Sequence, residues 1–188
     1  MQLLPFNKAI KILLVTNSMV LMAGAMLGPI YALFVKDVGG DLLDASIAGA
    51  IFAFFAGITT LISGRYSDKI KENELIIVLG YVIMGIGFLL YIGVHSIYYL
   101  FFVQALIGIG EAVYSPAFDA VYSKHLDKKK EGIQWGAWES MYYFTAAIGA
   151  FVGGILVTLL GFNFLFVVMS LLCFSSAIYI YHLNRKVL

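Results

Sequence analysis

Six apolar runs fill almost the whole chain, at approximately 12–35, 45–63, 75–94, 97–123, 135–160 and 163–182. A helix needs about 20 apolar residues to cross the hydrocarbon core of a bilayer. The runs meet or approach that length. They predict an all-α integral membrane protein with six transmembrane helices in a single domain over residues 1–188. Composition agrees: 62% of the residues are hydrophobic, 12% are charged and the mean hydropathy is +0.94. A soluble domain of this size has nowhere to hide so much apolar surface, whereas lipid covers it.

The connections between runs alternate sides of the membrane, and the basic residues choose one side. Lys8, Lys11, Arg65, Lys69, Lys71, Lys124, Lys128, Lys129, Lys130, Arg185 and Lys186 lie on the side that holds both termini, and only Lys36 lies on the other. Lys and Arg concentrate in cytoplasmic loops. The expectation is an integral protein of a prokaryotic inner membrane with N and C termini in the cytoplasm. Lys8 and Lys11 precede an apolar run too long for the core of a signal peptide, so the first span is expected to stay uncleaved.

Several function classes fall away. The basic residues sit in short loops without a basic stripe or aromatic-lined groove, so nucleic acid is not an expected partner. The single cysteine, Cys173, lies inside the last run and reads as a small buried hydrophobe. No Cys/His cluster has metal-ligand spacing. His95, His125 and His182 are far apart at run ends, and no nucleophile elbow, phosphate loop or zinc-binding helix pattern occurs. Enzyme chemistry, a metal and a cofactor are not expected.

A weak internal repeat appears at an offset of 87 residues. Asn17 maps to Gln104, Gly28-Pro29 to Ser115-Pro116, Tyr31 to Phe118, and Gly49-Ala50 to Gly136-Ala137. The offset spans three runs, an odd number, so the copies enter the membrane from opposite sides. Two inverted three-helix repeats are the expected architecture, as in many secondary transporters.

Polar groups at membrane depth are the candidates for function, because lipid offers them no hydrogen-bond partner. Glu111 stands near the middle of the fourth run, where an ionised acid costs about 2.5–3.5 kcal/mol on insertion scales. It must face a cavity, find a partner or keep its proton. Helical spacing puts Gln104, Gly108, Glu111, Ser115 and Tyr122 on one narrow stripe. That stripe suits the wall of a water-filled path. A protonated Glu111 bonded to a neighbouring helix as packing is the alternative. The first run carries a similar stripe of Asn17, Gly24, Gly28 and Tyr31, and Asn17 either contacts solute or bonds to a neighbouring helix.

Pro29 and Pro116 lie inside their runs, where proline bends a helix or frees a carbonyl, for gating or for structure alone. Glycines within the runs, Gly149, Gly153 and Gly154 among them, allow close helix approach. Asp119 and Glu139 fall near the cytoplasmic ends of their runs. Arg65, Lys69, Lys124 and Lys128 are plausible partners for them in an ion-pair network, structural or gating. Trp135 and Trp138 read as interfacial anchors.

The loop after the second run, Gly64-Arg65-Tyr66-Ser67-Asp68-Lys69-Ile70-Lys71, resembles the G-x-x-x-D-[RK]-x-G signature of the major facilitator superfamily. Lys71 stands where a second Gly is usual. Gly108-Ile109-Gly110 through Ser115-Pro116 looks like helix 4 of that family, with Gln104 where many proton-coupled antiporters carry Arg. Gly149-Ala150-Phe151-Val152-Gly153-Gly154 is similar to the antiporter G-P-x-x-G-G pattern, with Ala150 replacing Pro. The resemblance covers the entire chain.

It implies a six-helix bundle in which helices 1 and 4 line the central path. Asn17, Tyr31, Gln104, Glu111 and Ser115 are then the candidates for the substrate or proton path. Gly64, Arg65, Asp68, Lys69, Asp119 and Glu139 are the candidates for the cytoplasmic gate. Family members usually have twelve helices, in two halves with the path between them. One half by itself leaves a polar wall facing lipid, so two copies are expected to pair in parallel about a twofold axis. The expected activity is secondary transport of a small solute by alternating access, coupled to protons through Glu111. Partners are then the lipid bilayer, a second copy, a small-molecule solute and H+. The alternatives are pairing with a different six-helix half, or a membrane interaction subunit that transports nothing.

Overall fold

The structure, a computed structural model, describes residues 6–185 and 187–188. Lys186, one of the basic residues counted above, and residues 1–5 of the domain lie outside the described residues.

The described chain is helical from end to end. Helix α1 covers Lys8–Leu27, and a 3-10 turn at Gly28–Ile30 joins it to α2, Tyr31–Asp37. Then follow α3 (Leu42–Ser67), α4 (Asn73–Leu90), α5 (Ile97–Lys124) and α6 (Glu131–Tyr181). Polar caps set the starts. Asn7 accepts from the Ile10 amide at 2.9 Å, Asp41 and Asp44 form a reciprocal capping box, and Ser96 accepts from the Tyr99 amide. Each cap satisfies helix-end donors that otherwise lack partners.

Five helical stretches among the described residues are long and apolar enough to cross a membrane. The fifth, α6, has 51 residues. At 1.5 Å per residue it would extend roughly 75 Å, more than twice a hydrocarbon core of about 30 Å. It does not run straight. Gly161 has φ 81° and ψ 171°, a conformation open essentially to glycine alone, and it breaks the helix. On the first limb Gly149 sits against Met22 and Ala25, and Gly153 against Met26. On the second limb Phe166 meets Phe34, and Ser176 Oγ donates to the Thr16 carbonyl at 2.9 Å. One limb therefore ascends along α1 and the other descends.

The helices form a chain of neighbours. α3 packs on α5, α5 on α4, α4 on α6 and α6 on α1, whereas α1 and α5 touch little. Among the described residues both chain ends lie at one end of the bundle. There Asn7 Nδ2 donates to the His125 carbonyl at 2.7 Å, and Arg185 faces Glu74 at 4.0 Å. At the opposite end Tyr91 and Phe166 stack, and Phe34 meets both edge-on. The outer faces are apolar: Leu61 on α3 is 72% exposed and Leu159 on α6 is 73% exposed. Water would penalise that surface, and acyl chains do not.

Candidate functional site

Two clefts open in the gap between α1 and α5, and Glu111 lines both. The first, of about 390 Å³, is bounded by Gly24, Gly28 and Tyr31 from the first helical stretch, Gly49 and Phe52 from α3, and Gln104 and Glu111 from α5. Met84 and Phe88 of α4 and Met169 of α6 close its floor. The second, of about 360 Å³, lies between Val20 and Gly24 on one side and Tyr142 and Thr145 on the other, again with Met84 and Glu111.

The Glu111 side chain makes no hydrogen bond or ion pair among the described residues. It is neither sealed in a dry core nor turned onto an outer face, because it is half-buried and borders both clefts. Gln104 lies beside the Tyr31 hydroxyl, whose oxygen is buried. The Glu111 carboxyl, the Gln104 amide and the phenols of Tyr31 and Tyr91 thus bring hydrogen-bonding capacity to a mostly apolar hollow. Among the described residues no Lys, Arg or His lines either cleft.

The remaining path candidates are placed elsewhere. Asn17 is buried where α1 meets α4 and accepts the Tyr81 hydroxyl at 3.2 Å. It lines neither cleft, and neither does Ser115. The single stripe expected along α5 is divided because its neighbours change along the helix. Gly108 is covered by the Phe52 backbone of α3, and Tyr122 is buried with its hydroxyl on the Gln134 carbonyl at 2.5 Å. Only the Gln104–Glu111 stretch of the stripe meets the open gap.

Of the gate candidates, Arg65, Asp68 and Lys69 are exposed at the end of α3, where the Asp68 amide caps onto the Gly64 carbonyl at 3.3 Å. Asp119 and Glu139 are exposed too. The expected ion pairs of Asp119 and Glu139 with nearby bases are not formed: Arg185–Glu74 is the ion pair among the described residues. Gly149 and Gly153 pack closely on α1, whereas a side chain added at Gly154 would meet nothing within 4 Å. Pro29 sits in the 3-10 turn that interrupts the first helical stretch, and Pro116 lies inside a continuous α5.

Sequence reasoning missed Phe52, Met84, Phe88, Met169 and Thr145. Apolar residues and a lone threonine in apolar helices carry no signal of their own. Only the packing of α1, α3, α4, α5 and α6 shows which of them border a hollow.

A helical membrane bundle with an acid, an amide and a phenol around an intramembrane cleft defines a polytopic membrane protein with a polar site at depth. The chain belongs to the Major Facilitator Superfamily, whose family model matches residues 13–187. It is 26% identical over 170 residues to the proton-coupled antiporter flippase LtaA of Staphylococcus saprophyticus, covering 84% of this chain and 41% of that protein. It is 22% identical over 158 residues to the uncharacterised MFS-type transporter YitZ of Bacillus subtilis, covering 83% of this chain and 94% of that protein. The crystal structure of the POT family transporter PepTSo superposes with a TM-score of 0.74 at 18% identity, over 93% of this chain and 37% of that one. The chain thus spans about two-fifths of the length of LtaA and matches nearly the whole of YitZ.

Proposed function

We propose that the protein is a secondary active transporter that moves a small solute by alternating access, with Glu111 carrying the coupled proton. The observation that carries this is the unpaired Glu111 carboxyl between two hollows, in the gap where α1 and α5 part. An acid at membrane depth with water access gains and loses a proton without a fixed partner, which is what coupling requires. Gln104 and Tyr31 share its cleft and are the solute contacts. Asn17 and Ser115 support the same helices from outside it. The proton-coupled relative LtaA agrees with this assignment.

In this proposal the limbs of α6 on either side of Gly161 are separate spans, giving six helices in two inverted three-helix repeats. The end that gathers Asn7, Asp68 and Arg185 faces the cytoplasm, following the positive-inside rule. Gly64, Arg65, Asp68, Lys69, Asp119 and Glu139 act there as the gate, pairing in a conformation other than this one.

In this proposal a second six-helix unit covers the two clefts. We propose that a second copy does so, in parallel about a twofold axis. The match over nearly all of YitZ shows a relative of this size. Two Glu111 side chains would then approach the axis, where two like charges cannot both ionise cheaply. A different six-helix partner is the second possibility, and copurification of an unlike subunit would favour it.

The test is reconstitution of the purified chain in proteoliposomes under an imposed proton gradient. Glu111→Gln is expected to abolish gradient-driven flux while the folded fraction stays the same. Unchanged flux would remove Glu111 from coupling. Native mass spectrometry is expected to show a dimer, and monomers at every concentration would count against pairing.

A further inference from the structure

We infer that the groove between α1 and the first limb of α6 holds an anionic phospholipid, with an acyl chain along Val15, Ala137 and Phe144 and its phosphate among Lys8, Lys11 and Lys130. The lipid is a bound partner of the fold and not the transported solute, so this assignment stands or falls apart from the transport reading.

The groove, of about 730 Å³, shares no lining residue with the two clefts around Glu111. Its rims are exposed apolar side chains, Val15 on α1 and Ile133 and Phe144 on α6. Between them the α6 wall is small, at Gly136, Ala137 and Ser140. A side chain added at Gly136 would meet nothing within 4 Å. On the α1 side Ser18 donates its hydroxyl to the Val15 carbonyl at 2.7 Å, so it asks nothing of an occupant. Whatever lies here is apolar and slender. From Ile133 to Phe144 the wall rises roughly 16 Å at 1.5 Å per residue. That is about half of a hydrocarbon core of about 30 Å. The groove thus matches one leaflet, which favours a lipid chain over a helix that crosses both.

The charge at the end of the groove selects the headgroup. Lys8, Lys11, Val15 and Ser18 fall on one face of α1, at offsets of 3, 7 and 10 from Lys8, so the two lysines continue the groove wall toward water. Lys130 stands three residues before Ile133, at the start of α6. Asn7, on the His125 carbonyl and Asp127 Oδ1, holds the start of α1 beside the connection that carries Lys130. All three lysines are exposed, and none forms an ion pair among the described residues. The acids nearby are fewer, and each already accepts a donor: Asp127 from Gln134, and Glu131 from the Lys129 amide. Lysine stems lie along apolar surface and lift their ammonium groups to the headgroups, where they attract anionic lipid. A zwitterionic headgroup brings its own cation, which cancels the attraction of its phosphate. The apolar groove at the start of α4 differs, because Lys71 borders it together with Glu72 and the two charges offset.

The test uses two lipids with the same acyl chains and different headgroups. The purified, delipidated full-length chain in detergent is titrated with phosphatidylglycerol, and separately with phosphatidylcholine, and bound lipid is read by native mass spectrometry. Saturable binding of phosphatidylglycerol is expected, tighter than phosphatidylcholine by about tenfold. Lys11→Gln combined with Lys130→Gln should remove that preference and leave phosphatidylcholine unchanged. Lys36→Gln combined with Lys71→Gln, which takes the same charge from places away from the groove, should leave both lipids as in the wild type. Gly136→Leu, which fills the groove, should weaken both lipids. Size-exclusion profiles establish folding, and should Gly136→Leu misfold, the two lysine pairs decide. Equal affinity for the two lipids, or equal losses in the two lysine pairs, would overturn the assignment. So would displacement of the lipid by excess inorganic phosphate, which would leave a simple anion site with no part for the groove. Lipid found on monomers and absent from dimers would give the groove to a second copy and also overturn it.

Discussion

Ser63 of α3 donates its hydroxyl to the carbonyl of Ala112 in α5 at 2.5 Å, and Pro116 is the reason that oxygen is available. In a regular helix the amide of residue 116 would occupy the Ala112 carbonyl, and proline has no amide hydrogen. The neighbouring helix supplies the missing donor, as membrane interiors require. The bond sits one residue from Glu111, so it ties the placement of that carboxyl to the α3–α5 contact. Ser63→Ala is expected to cost about 1–3 kcal/mol, the penalty of an acceptor left unpaired. In a Pro116→Ala background the helix satisfies Ala112 itself, and the same substitution should cost much less. Thermal unfolding of the four variants in detergent measures this cycle. Equal losses in both backgrounds would show that the proline and the serine are unrelated.

Gly153 and Gly154 are adjacent in sequence and opposite in consequence. A methyl group at Gly153 would run into the Met26 backbone of α1, and one at Gly154 would meet open space. Gly153→Ala should separate α1 from the first limb of α6 and destabilise by about 1–3 kcal/mol, the usual range for overpacking. Gly154→Ala should be neutral or slightly stabilising, because it gains helix propensity without a clash. Melting temperatures of the two variants in one detergent are the measurement. Similar losses in both would mean that the outer face is covered by something this chain alone does not contain.

The sequence reading reached the helical membrane class, the family and the acid at depth, because each leaves a one-dimensional mark: long apolar runs, a loop motif, a charge among hydrophobes. It also singled out Glu111, Gln104 and Tyr31, which meet in one cleft. What it did not reach depends on which helices touch. Nothing in the local sequence of Asn17 reveals that Tyr81, 64 positions away, donates to it. Ser63 looked like one more small residue in an apolar run, and only the registration of α3 on α5 gives it a task. The two sister glycines 153 and 154 are indistinguishable by type, and the helix phase against α1 separates them. The exposed acids Asp119 and Glu139 read as halves of ion pairs because bases lie near them in sequence. In three dimensions neither forms an ion pair among the described residues.

The buried pair Asn17 and Tyr81 supports a further prediction. With Asn17 truncated, the Tyr81 hydroxyl is left fully buried without its acceptor. Asn17→Ala is expected to lose about 1–3 kcal/mol, and Tyr81→Phe added to it should recover part of the loss by removing the orphaned donor. Gradient-driven flux in proteoliposomes should stay at the wild-type value in the double variant, since Asn17 borders neither cleft. A loss of flux with stability intact would place Asn17 on the solute path instead.

The start of α1 is held by a polar ring of three side chains. Gln134 accepts the Asp127 amide at 2.8 Å and donates to the Asp127 carboxylate at 2.9 Å. Asn7 caps α1 and reaches across with its amide nitrogen to the His125 carbonyl at 2.7 Å and to Asp127 Oδ1 at 3.3 Å. Gln134 is fully buried, so its hydrogen bonds have no water to replace them. The ring joins the first helix to the connection between α5 and α6. Asp127→Ala removes the acceptor of two of these bonds, those from Gln134 and Asn7, while leaving its own amide on Gln134 and the Asn7 cap on Ile10 in place. It should raise hydrogen–deuterium exchange at the amides of residues 125–134 and at the first turn of α1, with little change in the core of α4. Exchange that rises only in the loop, with the first turn of α1 still protected, would show that Asn7 holds that helix through its cap alone and that the ring does not couple the two segments.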